Sequence, residues 1–418
     1  MDLTIRQGVN LHIIPTDQFR LTTVVVNFAT PQTATNPTVR HLLANILESS
    51  CQKYPSQTLL ARKLDDLYGT FLSANVARVG QLHNFRLRAQ MINDQQAGEA
   101  LFVQVMDLLA EILFHPLKDD DGFDPTTIKV QRANLAGILR SATDDKQFYA
   151  YQQVEKQFYD LDSVMWHPSY GELELLDKIR PADLVTAYRQ MLASDQVDIF
   201  VLGNVDTATV ERSLQSWPLA ARQQLSTIAD YHQPFRHHLR VRKEHQRLSQ
   251  AKLDAAFSLP VYYRDEGYYA ALVMNGLLGG SPYSKLFLNV REKAGLAYYA
   301  DSQVRAFGGH LVVETGIQTK NYSRVRDLIK QQVVELQEGR FTDEQLAEVK
   351  AALVNDYQIG LDSPLNIIEH RLVNEMSRHR ELIDVPAAVE AVTRQEVIEA
   401  ARLLRLQAVY FLGGEQNE

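Results

Sequence analysis

Residues 180–204, RPADLVTAYRQMLASDQVDIFVLGN, and residues 393–414, TRQEVIEAARLLRLQAVYFLGG, follow one plan. Each starts a helix, crosses a short link and ends in a continuous apolar run that closes on Leu-Gly. Pro181 falls near the first turn of the first helix, where a missing N–H costs little. An apolar run of this length, bounded by turn residues, reads as a strand buried on both faces. The two copies lie about 200 residues apart, far longer than a solenoid unit. They therefore mark a duplicated domain, and a chain of 418 residues has room for two cores.

Working outward from the copies gives two parallel series. Upstream of the first, VNLHIIPT and RLTTVVVNFAT alternate and are rich in β-branched residues, as strands are. Helical stretches follow at 37–51 and 56–68, separated by Tyr54-Pro55, then strand runs GTFLSANVARV and HNFRLRAQMI, then helices at 95–114, 125–142 and 145–160. Upstream of the second copy, QAKLDAAFSLP reads as a strand, GYYAALVMNGLLGG and PYSKLFLNVREKAG as helices, and LAYYADSQVRAF with GHLVVETGI as a strand pair turning at Gly308-Gly309. Helices at 321–338, 342–359 and 365–378 complete the series. The expected fold is α/β (α+β) in two homologous halves, each a mostly antiparallel sheet with helices packed on one face. The boundaries are 1–220 for the first half, 221–246 for a linker and 247–418 for the second half. The linker is polar and basic without periodicity. Its Arg/Lys/His cluster could hold an anion, but it reads first as a solvated connection.

Composition narrows the function classes. A net charge of −8 argues against a general nucleic-acid binder. A single cysteine, Cys51, excludes an internal disulfide and fits a reducing compartment. The N-terminus lacks the basic-then-apolar plan of a signal peptide, and no apolar run approaches the ~20 residues that span a bilayer. The expectation is a cytoplasmic protein without membrane partners. His232, His237, His238 and His245 lack metal-ligand spacing. KDDDGFD, with Asp119 to Asp121, reads as a loop before a helix, without the closing Glu of a calcium loop. NIIEHRLVNEMSRH, 366–379, reads as a surface helix, because His370 and His379 are too far apart to stack on one face.

Two further stretches carry chemistry. NGLLGGSPYSKLFLNVREKAGLAY, 275–298, contains a Gly-Gly, a Ser-x-Leu-Phe and an Arg-Glu-Lys-x-Gly-Leu-Ala-Tyr run. VRHLLANILESS, 39–50, places His41 and Asn45 four apart on one helix face, with Ala44 between them. Together with the duplicated halves, these stretches resemble the insulinase/pitrilysin family of zinc metallopeptidases (inverzincins), which includes the mitochondrial processing peptidase. The likeness covers essentially the whole chain.

In that family a helix carries His-x-x-Glu-His. Its two His bind zinc, its Glu activates the bound water, and a Glu on a later helix is the third ligand. On this chain the resemblance puts His41 at the first His, Ala44 at the Glu and Asn45 at the second His. The third ligand position falls on Ile138, in QRANLAGIL. A methyl group cannot accept a proton, and Ile138 offers a cation only hydrocarbon. The zinc motif is degenerate, so the expectation is no catalytic residue, no metal, no cofactor and no peptidase activity by this chain alone. A bland reading of His41 is a helix histidine bonded to a neighbour.

The second block implies a role that survives. Arg291 and Tyr298 match an Arg/Tyr pair that some members use to hold substrate beside the zinc, with Gly279 and Gly280 in the preceding glycine segment. Arg supplies a fixed fork of donors and Tyr a phenolic O–H. Structural alternatives stand beside this: Arg291 paired with a nearby carboxylate, Tyr298 a strand-end core residue, and Gly279-Gly280 a helix-ending turn. Paired systems exist in which only one chain carries the zinc motif. The expected function is thus a non-catalytic, peptide-binding subunit that gives Arg291, Tyr298 and chamber walls to a related chain with intact His-x-x-Glu-His. The alternative is a stand-alone homodimer that binds peptides or serves as a scaffold.

Overall fold

The computed structural model describes residues 1–119, 122–379, 381 and 383–414. Asp120 and Asp121 of the KDDDGFD run lie outside them. The chain forms two compact units. The first comprises Met1–Ser141, His167–Ile228 and Ser363–Met376; the second comprises Ala142–Trp166, Ala229–Asp362 and the chain from Ser377 onward.

The first unit holds strands β1 (Asp2–Arg6), β2 (Val9–Pro15), β3 (Leu21–Pro31), β4 (Phe71–Val79), β5 (Leu82–Ile92) and β6 (Gln196–Gly203). They are ordered β1-β2-β6-β3-β5-β4, and only β2 and β6 run parallel. The second unit holds β7 (Arg240–Gln246), β8 (Ala251–Ser258), β9 (Ala297–Arg305), β10 (His310–Ile317) and β11 (Arg405–Gly414). Their order is β7-β11-β8-β10-β9, with only β7 and β11 parallel. With β1 set aside, the two sheets share one topology. The repeated strands, β6 and β11, hold the same place in each. Both sheets are thus mixed and mostly antiparallel, as expected.

Alternation sorts each strand's side chains onto two faces. Val24, Val26 and Phe28 of β3 enter the main core of the first unit with Leu42, Leu43 and Leu47 of helix Asn36–Ser49. Leu253, Ala255 and Phe257 of β8 do the same in the second with Val273, Met274 and Leu277 of helix Tyr268–Leu278.

The expected one-faced packing needs an addition, because each sheet also carries a helix on its other face. In the second unit that helix is Lys146–Phe158, whose Ala150, Val154 and Phe158 meet Ala256, Val312, Tyr410 and Leu412. Val154 and Phe158 contribute on the order of 1.5–3 kcal/mol each by burial. Arg236 donates to Phe158 O at 2.5 Å, and Arg240 to Gln157 O at 3.1 Å and Tyr159 O at 3.2 Å. These bonds satisfy carbonyls that a helix end leaves open. The stretch 221–246 therefore ends in a strand whose charged side chains hold a helix.

The first unit takes helix Pro364–Ser377 in the same way. Ile368, Leu372 and Met376 form a buried stripe at four-residue spacing. Glu369 pairs with Arg86 of β5 at 2.5 Å, and Arg371 with Asp2 of β1 at 2.9 Å. This corrects the surface-helix reading of 366–379: its polar residues are the flanks of a packed face.

The same sheet face holds a buried histidine between two carboxylates. His12 meets Asp2 through Nδ1 at 2.8 Å and Asp198 through Nε2 at 3.2 Å, and it stacks on Phe200 with ring centroids 4.4 Å apart. Burial opposes its charge, but the bonds and charges of Asp198 and Asp2 outweigh burial, with Glu375 adding to them, and the pKa rises above the ordinary value. A raised folded-state pKa gives stability that is complete below the unfolded value near 6.5 and is lost as pH rises through the folded value. The chain should accordingly lose stability on going from pH 6 to pH 9, and His12→Gln should flatten that slope. Urea midpoints measured across this range check it; an unchanged slope in the variant would assign the dependence elsewhere.

Among the described residues, no helix is long and apolar enough to cross a membrane.

Candidate functional site

Helix Asn36–Ser49 has Pro37 in its first turn and turns Leu42, Leu43, Ala44, Ile46 and Leu47 into the core. Arg40 anchors it. This side chain is 3% exposed and has three partners: Nε donates to His83 Nδ1 (3.1 Å), one terminal nitrogen to Asp195 Oδ2 (2.5 Å) and the other to Phe28 O (2.9 Å). His83 is pushed down to about 3, by burial first and Arg40 second. It is therefore neutral, accepting at Nδ1 and donating from Nε2 to Ser169 O at 3.0 Å.

His41 lies next to this anchor. Its Nδ1 is 2.8 Å from Tyr170 O, and burial lowers its pKa. A carbonyl can only accept, so Nδ1 carries the proton and Nε2 keeps its lone pair. The bland reading of His41, a helix histidine bonded to a neighbour, describes this bond. Ala44 is fully buried. Asn45 and Ile138 line one cleft of about 340 Å³ with Glu48, Gln57, Gln131 and Asn134. The resemblance had placed both residues at ligand positions, and the fold brings them to one space. Ile138 is 50% exposed there.

Glu48 is the residue in this cleft that sequence reasoning missed. It accepts the Ala74 N–H at 3.0 Å, and burial raises its pKa. Its position one turn beyond Asn45 was the available signal. One carboxyl among four amides does not make a zinc site. Among the described residues no group of three or more His, Cys, Asp or Glu could hold a metal ion. The linker histidines are dispersed: His232 packs on Tyr262, His237 on Phe235, and His245 bonds Gly414 O. Cys51 is buried, and burial pushes its thiol up, away from reactivity.

The second block folds around a π-helical turn, Phe287–Lys293, instead of the regular helix expected. Such turns often accompany functional sites. Arg291 stands on it with its guanidinium 4.7 Å from the Phe287 ring and its Nε 3.5 Å from the neighbouring Glu292. That pairing is loose, and the Arg291 side chain is 44% exposed. Tyr298 is the second residue of β9, an edge strand, and is 59% exposed. It is not a core residue. Packing accounts for the glycines: a Cβ on Gly279 would fall 2.6 Å from Ser302 N, and one on Gly280 2.5 Å from Asn275 Nδ2. They let the end of helix Tyr268–Leu278 close onto β9.

The family model described as the peptidase M16 inactive domain matches residues 178–353. The chain is 29% identical over 414 residues to the probable inactive metalloprotease YmfF of Bacillus subtilis (strain 168), covering 98% of this chain and 97% of that one. It is 24% identical over 316 residues to a second protein of that strain, the uncharacterized zinc protease YmxG, covering 74% and 73%. The crystal structure of a conserved protein from Enterococcus faecalis V583 superposes with a TM-score of 0.95 at 35% identity, covering 100% of this chain and 99% of that one.

Proposed function

We propose that the chain is an inactive homologue within the M16 peptidase family and acts as the non-catalytic, peptide-binding subunit of a zinc peptidase whose metal sits in a related chain. The observation that carries the reading is the contrast between its two blocks. At the zinc helix the base position is a buried methyl, and Asn45 and Ile138 face a cleft without a ligand set. In the second block, Arg291 and Tyr298 remain exposed, and no structural bond fully occupies either. Donors presented in this way can grip a peptide carbonyl and stabilise a developing oxyanion. The partner would carry intact His-x-x-Glu-His, and this chain would need no metal of its own. One Bacillus subtilis strain holds both an inactive-type and a zinc-type relative, which fits a division of labour.

The test mixes this chain with the zinc-bearing relative from the same genome and follows cleavage of a quenched peptide library. Each chain alone should be inactive or nearly so. The mixture should cleave, and Arg291→Ala should lower its kcat/KM by roughly 100-fold, the scale for removing one oxyanion donor. If the partner works equally well without this chain, the homodimeric binding or scaffold role takes its place.

A further inference from the structure

The second sheet carries three carboxyl groups side by side on the face that also receives helix Lys146–Phe158. Glu314 of β10 is paired with Asp301 of β9. The β8–β10 register sets Val313 opposite Ala255 and Gly316 opposite Lys252, which places Glu314 opposite Asp254. Cross-strand partners share a face, and like charges set directly opposite are destabilising. They are offset only in part: Gln147 bonds Glu314, Arg305 acts on Glu314 through its charge, and Lys252 acts on Asp254. Lys252 Nζ bonds Gln250 at 2.6 Å and lies over the Tyr299 ring at 5.0 Å. Arg305 stacks on Tyr151.

A second observation points to a ligand. Asp254 is 1% exposed; its Oδ1 accepts the Thr315 N–H at 3.4 Å, but its Oδ2 has no hydrogen-bond partner. The buried Tyr299 hydroxyl, which feels the charges of Asp254, Glu314 and Asp301, has none either. Burial, with Glu314 beside it, pushes Asp301 up to about 6, and burial raises Asp254 as well. A buried acceptor without a donor costs stability and is uncommon in native proteins.

We propose that this row binds an organic cation, a primary ammonium or guanidinium group, supplied by a free polyamine or by a basic side chain of a bound peptide. Shape favours such a group over a metal ion. Strand spacing of about 4.8 Å spreads the three carboxyls over roughly 10 Å, and they do not converge as metal ligands do. An extended cation can span the row, meet the exposed Asp301 first and supply the donor that Asp254 lacks. This site does not depend on the complementing-subunit reading.

Thermal unfolding of the full chain, titrated with spermidine, with a blocked arginine peptide and with MgCl2 at matched ionic strength, tests the proposal. Spermidine or the arginine peptide should raise Tm saturably, and whichever acts identifies the source. Asp301→Asn and Glu314→Gln should fold as well as the native chain or better, because they remove repulsion. Each should raise the half-saturating concentration by roughly tenfold. Asp254→Asn should abolish the response. An equal response to MgCl2, no response to either organic cation, or half-saturation unchanged in Asp301→Asn and Glu314→Gln would each overturn it.

Discussion

Arg40→Ala should remove about 3–5 kcal/mol from the stability of the first unit, the scale for stripping one partner from a buried ion pair. Asp195 is 4% exposed, and burial raises its pKa even with Arg40 at 2.5 Å. Without that cation the buried carboxyl must take up a proton or stay charged with only the Arg222 charge to offset it. Phe28 O and His83 Nδ1 would lose a donor in the same step. Trp217 belongs to the first unit and Trp166 to the second, so Trp217 fluorescence in a Trp166→Phe background follows the first unit by itself. With a urea m-value of about 2–3 kcal/mol/M, the midpoint should fall by roughly 1–2 M. Replacing Arg40 and Asp195 together by Met and Leu should recover much of the loss, since apolar pairs often substitute for buried ions. If Arg40→Ala unfolds at the native midpoint, the helix is held by its apolar face alone.

The same residues indicate what a sequence can disclose. The repeat at 180–204 and 393–414 placed β6 and β11, because a strand buried on both faces is apolar at most positions, Asp198 of β6 being a buried exception that pairs with His12. It could not disclose that helices Lys146–Phe158 and Pro364–Ser377 are each packed in the unit built mainly from the other half of the chain. Periodicity specifies a helix's apolar face but is silent about which sheet receives it. Strand β7, RVRKEHQ, was invisible for a related reason. It is an edge strand, and its alternate side chains meet a helix's carbonyls and polar groups in place of a core, so no hydrophobic signal marks it. Asp254, Asp301 and Glu314 are scattered acids in the chain, and only strand register gathers them. The degenerate zinc motif could be inferred because each departure from the resemblance sits at a single position: Ala44 sets a methyl where a proton acceptor is expected, and Ile138 hydrocarbon where a ligand is expected.

Asn45→His with Ile138→Glu should give a chain that retains one zinc ion, where the native chain is expected to retain none. The expectation rests on the tautomer of His41. His41 donates from Nδ1 to Tyr170 O, the kind of bond that fixes the tautomer of a zinc histidine and leaves Nε2 with its lone pair. A histidine at 45 would lie on the same helix face, and a glutamate at 138 would enter the cleft that Asn45 and Ile138 share. With Ile138 half exposed, a carboxylate there carries little burial penalty. Metal analysis after dialysis should give about one zinc per chain, and unfolding should shift by about 2.7 kcal/mol at free zinc 100 times Kd. Peptide cleavage should still be absent, because Ala44 cannot take the water's proton. Adding Ala44→Glu would test the base, at a stability cost, since position 44 is fully buried. These outcomes separate two ways of being inactive. If the double variant binds zinc, the fold has kept the metal geometry and lost only the ligands. If it stays metal-free while folded, the cleft itself has been rebuilt, and activity cannot return by ligand substitution alone.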